Sequence, residues 1–517
     1  MNTNQSAATM IGSVGPVIEQ KDKLRNALAQ LKSKELVFGV VGYAGSGTSF
    51  SADQIRWLLE KELAALQPKI NLIKARELID KHLQAIGISL PTGTKLQMVE
   101  GYQSAGDELR RTSQEHGAVA AYAVQKIREL RGATQNHPSV YIIDSIKHPA
   151  EVELLRAVYA DAFVLVGVGC RPDVRKKRLE RKYALAPNSP ELRKFVDRDS
   201  EDSAHKYGQH VNDTFHLSDY FIDNTSDSAS QKDYVLPDQI KRLFDILFTA
   251  TLRRPNLTER GMYHAHAAAM RSSCLSRQVG ASILDAKGNL LSVGTNEVPK
   301  YGGGAYDGTE SKDQRCFATN GYCSNTREQN QILASVLEGL KSGGLLKGDA
   351  KDTEVLRVIG NTRIKALIEF SRSVHAEMDA IISMTRSGTK LEAGSTLFST
   401  TYPCHSCARH IVAAGVESVV YLEPYSKSMA IGLHEDSIAD NLPPDQSLGK
   451  VKFRPYEGVS PRLYRRVYLK TGDLKDESGN VLTSVGVKGP NSLLLTKAYT
   501  DIENDIVQFV EQLGIQK

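Results

Sequence analysis

Cysteine is scarce in this chain: six occur among 517 residues, at positions 170, 274, 316, 323, 404 and 407. That density excludes a disulfide framework and implies reduced, intracellular thiols. A close pair then reads first as metal ligation or redox chemistry. Long apolar runs are also missing. No stretch approaches the roughly 18 residues a membrane helix needs. The polar start, MNTNQSAATMIGSVGP, lacks the basic-then-apolar order of a secretory signal. The expected location is the cytoplasm. Neither sign of charge dominates: 65 Lys and Arg against 60 Asp and Glu leave +5 at pH 7. Such a balance neither demands nor excludes a nucleic acid partner. What remains is an ordinary globular composition, 41% hydrophobic and 24% charged, in a chain long enough for about two to four domains.

The pattern along the chain predicts two α/β domains. Residues 1–35 read as a polar tail followed by a short amphipathic helix. The apolar run from Leu36 to Val41 flows into a glycine-rich loop and a helical stretch, the opening of a P-loop domain. Buried strands are predicted at 139–144, 162–168 and 219–223, with helices at 118–131 and 151–159 between them. This alternation implies a parallel sheet with helices on both faces, over 36–250. A second domain is predicted over 251–490. It begins with a helix capped by Thr258 and running to about Cys274. A β-hairpin follows, then an insertion at 301–372 whose glycine-rich first part predicts little regular structure. Helix 374–386, strand 395–400, helix 404–414 and strand 418–422 complete a three-layer α/β/α sheet. Ile502, Ile506, Phe509, Val510 and Leu513 then recur at helical spacing, predicting a docked C-terminal helix at 491–517. No internal repeat is evident.

The chemistry-bearing residues are His375-Ala376-Glu377 and Pro403-Cys404-His405-Ser406-Cys407. One imidazole and two thiolates fill three positions of a tetrahedral zinc site, and a fourth left for water marks a catalytic site. Cys404 and Cys407, three apart at a helix start, can point the same way, and the helix N-terminus favours the thiolate. Glu377, two residues beyond His375, is placed to act as general acid and base without ligating metal. H-x-E with P-C-x-x-C is the signature of zinc-dependent nucleobase deaminases. A closed structural zinc site is the competing reading, and it lacks a fourth ligand unless His405 or His410 supplies one.

On the segments QVGASILD, SVGTNEVP, VHAEMDAI and TTYPCHSCARHIV, residues 257–470 resemble the deoxycytidylate deaminase branch of the cytidine deaminase superfamily. The resemblance implies that Asn296 contacts the sugar, that Tyr402 or Tyr425 stacks on the base, and that the protein forms a homo-oligomer. Across most of its length the chain is similar to the bacterial anti-phage dCTP deaminases. That similarity implies dCTP, and also dCMP, as small-molecule substrate. A triphosphate would need donors such as Lys300, Arg277, Arg271 or Lys427. Cys316 and Cys323 lie in the insertion, where several deoxycytidylate deaminases hold a second zinc. They supply half of a tetrahedral set, which His264 or His266 would have to complete.

In the first domain, Gly42, Gly45, Ser46, Gly47, Thr48 and Ser49 follow the pattern G-x-x-x-x-G-K-[ST] except that Thr48 replaces the lysine. Glycines let backbone N–H groups approach phosphates, and the helix N-terminus adds favourable charge. Ser49 stands at the usual Mg²⁺-ligand position, and Asp144 matches the acidic residue that supports the ion. The domain resembles nucleotide and dephospho-coenzyme A kinases, with Arg171, Arg175, Arg178 and Arg181 placed like a kinase lid. Without the lysine, the expectation is a bound nucleoside triphosphate with Mg²⁺ that senses or gates the deaminase. Two other readings stand beside this one: a polynucleotide-editing deaminase with an accessory P-loop domain, and a nucleotide-responsive binding protein with a vestigial deaminase fold. An inhibitory RNA or protein partner leaves no readable mark in the sequence.

Overall fold

In a computed structural model, residues 35–132, 138–187, 189–200, 207–225, 235–248, 254–423, 425, 428–442, 446–469, 475, 478–480, 503–504, 506–508 and 510–511 are described. The predicted N-terminal tail and helix lie outside them. So do Lys427 and, of the C-terminal apolar set, Ile502, Phe509 and Leu513. The chain divides into two compact units. The first comprises 1–218, 222–251 and 472–517, and the second 219–221 and 252–471.

The first unit is built around strand β1 (Glu35–Val41), every residue of which is buried. A strand covered on both faces reads as a continuous apolar run, here LVFGVV. β1 pairs in parallel with β3 (Ser139–Ile146) on one side and β4 (Phe163–Gly169) on the other. β2 (Lys69–Lys74) pairs in parallel with β3, and the order is β5-β4-β1-β3-β2, with β5 at Tyr220–Asp223. Among its helices are α1 (Thr48–Glu62), α2 (Ala118–Arg131), α3 (Pro149–Tyr159), α4 (Pro172–Tyr183) and α5 (Pro190–Ser200). Val37, Tyr141, Leu165, Val124 and Leu155 share the core, and Val510 from the C-terminal stretch is buried in it with Ile506 packed alongside.

The second unit holds a six-stranded sheet in the order β10-β11-β9-β8-β6-β7. β6 (Gly280–Leu284) pairs antiparallel with β7 (Leu290–Thr295) and with β8 (Thr396–Thr401). β8, β9 (Ser418–Glu423), β11 (Val451–Pro455) and β10 (Ile438–Asp440) run parallel. Helix α6 (Leu257–Ala269) packs on β6, and α8 (Ala376–Arg386) packs on β7. The close fit depends on glycine: a Cβ on Gly294 would lie 2.2 Å from the Ala376 carbonyl oxygen and 2.3 Å from the Ala380 nitrogen.

Two local expectations are corrected. The cap of α6 is Asn256, whose side chain accepts from the Glu259 N–H at 2.8 Å while Glu259 reaches back to the Asn256 N–H. This reciprocal box starts the helix earlier than Thr258, and it ends at Ala269. The insertion, expected to be largely irregular, contains α7 (Ser324–Ser342), a 19-residue helix. Only Gln329, Leu333 and Leu337 of it are buried, so its apolar stripe is too narrow to stand out among glycine-rich flanks.

Candidate zinc centre

The site is assembled from two helix starts. His375 is the N-cap of α8, and the residue before it, Val374, is bridged to Glu297 beyond β7. Asp379 accepts the Thr295 N–H at 2.9 Å, fixing the first turn of α8 against the end of β7. Cys404 caps α9 (His405–Ala414), which follows β8, and its sulfur accepts the Cys407 N–H at 3.4 Å. Strand end and helix start thus deliver both sulfurs to one point.

There His375 Nδ1 lies 3.3 Å from Cys404 Sγ and 3.4 Å from Cys407 Sγ. The three donors all fall within 4.8 Å of one another, the one such group of His, Cys, Asp or Glu among the described residues. One imidazole and two sulfurs at this spacing fit zinc, and Nδ1 is the nitrogen offered. Hydrogen bonding from the Cys407 thiol, reinforced by His375, holds the Cys404 thiol well below its usual range. The hydrogen bond to Cys404 in turn pushes the His375 imidazole up.

Glu377 is 4% exposed. Its Oε2 accepts from Cys407 Sγ at 3.3 Å and its Oε1 from the Ser399 hydroxyl at 3.4 Å. Burial, followed by the charge of Cys404, raises its carboxyl above the usual carboxylate range. A carboxyl raised in this way, beside the metal donors but not among them, is suited to taking up and returning a proton. Ser399, on β8, was not singled out by sequence reasoning. Strand alternation gives its face but nothing that ties it to Glu377.

The predicted substrate contacts separate into distinct places. Asn296 is buried, and its side chain is engaged on both ends: Oδ1 accepts the Val279 N–H at 2.7 Å and Nδ2 donates to the Arg277 carbonyl at 2.7 Å. It therefore clamps the segment leading into β6. Tyr402 is 8% exposed and packs edge-on against Tyr421, with Phe453 on another side. Both ring contacts belong to the core of the second unit. Tyr425 is half-buried; burial raises its phenol, and the charges of Cys404, Arg277 and Glu369 all act on it. Tyr425 is thus within electrostatic reach of Cys404. Arg277 is half exposed and 3.6 Å from Glu423. Lys300 pairs with Glu310 at 2.6 Å, and Arg271 is exposed.

Cys316 and Cys323 are both partly buried free thiols. They belong to no group of three donors among the described residues. Cys323 lies 3.3 Å from the Ser276 hydroxyl and Cys316 3.9 Å from Arg372, with Cys274 near enough for its charge to act on Cys316. His405, the alternative fourth ligand, faces Glu369 at 3.9 Å, and His410 Nδ1 lies 2.7 Å from the Ser406 carbonyl.

In the first unit the glycine loop joins β1 to α1, with Gly45 at φ +82° and Gly47 at φ +85°, a region open to glycine at little cost. The Ser49 hydroxyl bonds to Asp144, which burial pushes up from the usual carboxylate range. Of the basic run, Arg175 lies over the Tyr43 ring at 4.7 Å and Arg178 donates to the Asn224 carbonyl at 2.8 Å. Arg171 pairs with Asp173 at 2.7 Å.

Residues 255–423 match the family described as the cytidine and deoxycytidylate deaminase zinc-binding region. The deoxycytidylate deaminase of Enterobacteria phage T4 is 28% identical over 166 residues, which is 32% of this chain and 76% of that protein. ComE operon protein 2 of Bacillus subtilis is 24% identical over 164 residues, covering 32% of this chain and 58% of its own length. The dCMP deaminase of cyanophage S-TIM5, solved in complex with dCMP and dUMP, is 20% identical. That likeness covers 39% of this chain and 98% of the phage protein at a TM-score of 0.23. No helix among the described residues is long and apolar enough to cross a membrane. The metal-donor triad, the buried carboxyl beside it and the family match coincide: residues 255–423 are similar to the zinc-binding region of the cytidine and deoxycytidylate deaminases.

Proposed function

We propose that the chain hydrolyses the exocyclic amine of deoxycytidine nucleotides, dCTP and also dCMP, and so depletes dCTP as a defence against phage. The observation that carries the reading is Glu377, buried and hydrogen-bonded 3.3 Å from Cys407 within the triad. His375, Cys404 and Cys407 would hold zinc, which when bound supplies Lewis acidity that makes water a nucleophile near neutral pH. Water adds at carbon 4 of cytosine. Glu377 takes the proton released there, passes it to ring nitrogen 3, and delivers a proton to the departing amine. Uracil and ammonia are the products. Ser399 steadies Glu377 through its hydroxyl, and Tyr425 and Arg277 are the side chains offered to base and phosphate.

We further propose that the loop of the first unit binds a nucleoside polyphosphate with Mg²⁺, held by Ser49 and Asp144, and that this gates the deaminase in a cytoplasmic homo-oligomer. The decisive experiment incubates purified protein with dCTP, dCMP and single-stranded oligonucleotides and follows ammonia and uracil. Deamination confined to the nucleotides is expected; uracil appearing only in the oligonucleotide would replace this reading by a polynucleotide-editing one. Glu377→Gln should lower turnover by about 10²- to 10⁴-fold with zinc content unchanged. A variant retaining wild-type turnover refutes the assigned proton carrier.

A further inference from the structure

Thr48 leaves the glycine loop without the cation that such loops direct at phosphate. A cation nevertheless reaches it from another element. Lys147, one residue beyond β3, places its Nζ 3.4 Å from the Gly42 carbonyl and 2.7 Å from Asp199 Oδ1. Asp199 belongs to α5 and is 3% exposed. Its second oxygen accepts the Ala44 N–H at 2.6 Å. One oxyanion therefore bridges a loop amide and an ammonium, which are the two kinds of donor a bound phosphate oxygen uses.

The surroundings suit a larger anion. Lys182, on α4, is exposed, though partial desolvation lowers its ammonium. Asp144 attracts it while Lys147 and Lys95 repel it. Lys74, at the end of β2, also acts on Asp144. Lys147 thus touches the loop directly, while Lys74 and Lys182 act electrostatically on the neighbouring Asp144. Inside the loop, the Ser46 hydroxyl is fully buried and without a hydrogen-bond partner among the described residues. It sits where a Cβ on Gly42 would fall, 2.4 Å away. Glycine at 42 keeps that space open.

We propose that Lys147 is the phosphate-binding cation of this loop, in place of the lysine missing at Thr48, and that the Asp199 carboxylate occupies the phosphate position until a nucleoside di- or triphosphate displaces it. The inference rests on the nucleotide-binding reading of the loop. Until then Asp199 neutralises Lys147 and satisfies the Ala44 N–H. When phosphate arrives, both donors transfer to it, and the carboxylate must move out or be expelled by repulsion. Lys147 is then a binding residue and Asp199 a competitor that sets the affinity.

The test measures binding of ADP and ATP with Mg²⁺ to the full chain by calorimetry, alongside thermal unfolding of each variant. Lys147→Ala should weaken binding by about 10- to 100-fold, the range set by one charge-assisted hydrogen bond. Lys147→Arg should recover most of it. Asp199→Asn keeps an acceptor for the Ala44 N–H but removes the charge, and it should bind more tightly than wild type. An ion pair with a purely structural role predicts the reverse, since Asp199→Asn would only loosen the unit. If wild type binds saturably and Lys147→Ala, folded, binds equally well, the assignment of Lys147 is overturned while nucleotide binding stands. If Asp199→Asn binds no tighter, the competitor role falls. Absence of any saturable binding to wild type overturns the nucleotide reading itself, and this inference with it.

Discussion

Gly294 shows how narrowly the site is held at the scale of one residue. A methyl group there would collide with the Ala376 carbonyl and the Ala380 amide, both in the first turns of α8. Backbone cannot rotate away as a flexible side chain can, so Gly294→Ala should cost about 1–3 kcal/mol of stability. It should also lower zinc occupancy by tilting His375 away from the sulfurs. Calorimetric unfolding with metal analysis checks both, and an alanine variant with wild-type melting and full zinc would remove Gly294 from the account. The ligands and Glu377 were legible in the sequence because metal chemistry restricts both residue type and spacing. Ser399 was not, nor were the contacts that Asn296 and Tyr402 make within the fold. Whether an amide or a ring faces a ligand or its own fold depends on partners that no local pattern encodes. Asn296 turned out to hold Arg277 and Val279.

At the scale of elements, strands buried on both faces were the most readable features, and β1, β3 and β4 lie within a residue or two of their expected bounds. The helix α7 was hidden because a mostly solvated helix carries little periodic apolar signal. Helix α3 offers a test through its cap. His148 Nδ1 accepts the Ala150 N–H at 3.1 Å. Burial, joined by the charges of Arg110, His116 and His210 and opposed by Asp213, lowers its imidazole from 6.5 to about 3. The fold thus favours neutral His148. Its stabilising contribution is full above pH 6.5 and is lost as pH falls through the interval down to about 3. By pH 5 the loss amounts to about 2 kcal/mol. His148→Asn retains a capping acceptor and does not titrate, so its melting temperature should fall less between pH 7 and 5 than that of wild type. Parallel declines would show that His148 contributes nothing to the acid sensitivity.

Across the whole molecule, the first unit is discontinuous in sequence. The chain leaves it after residue 251, forms the deaminase unit, and returns to it from 472 onward. The return is anchored by buried charge. Arg131, on α2, bonds to both oxygens of Glu35 and both of Glu503, and Tyr159 donates to Glu503 at 2.8 Å. The apolar spacing of the C-terminal stretch predicted a docked segment, and Val510 is buried accordingly. The unit that receives it was not readable, because ionic partners 372 residues apart share no local pattern. Removing one partner of a buried ion pair typically costs about 3–5 kcal/mol. Glu503→Ala should therefore lower the unfolding temperature of the first unit while the zinc content of the second stays unchanged; equal loss in both would refute that division. The same connectivity imposes an order on biosynthesis. At about 5–20 residues per second, a ribosome needs roughly 20–75 s to travel from Arg131 to Glu503. Until Glu503 is made, Glu35 is the one carboxylate of this set available to Arg131, and the second contact can form only after residues 252–471 have been synthesised.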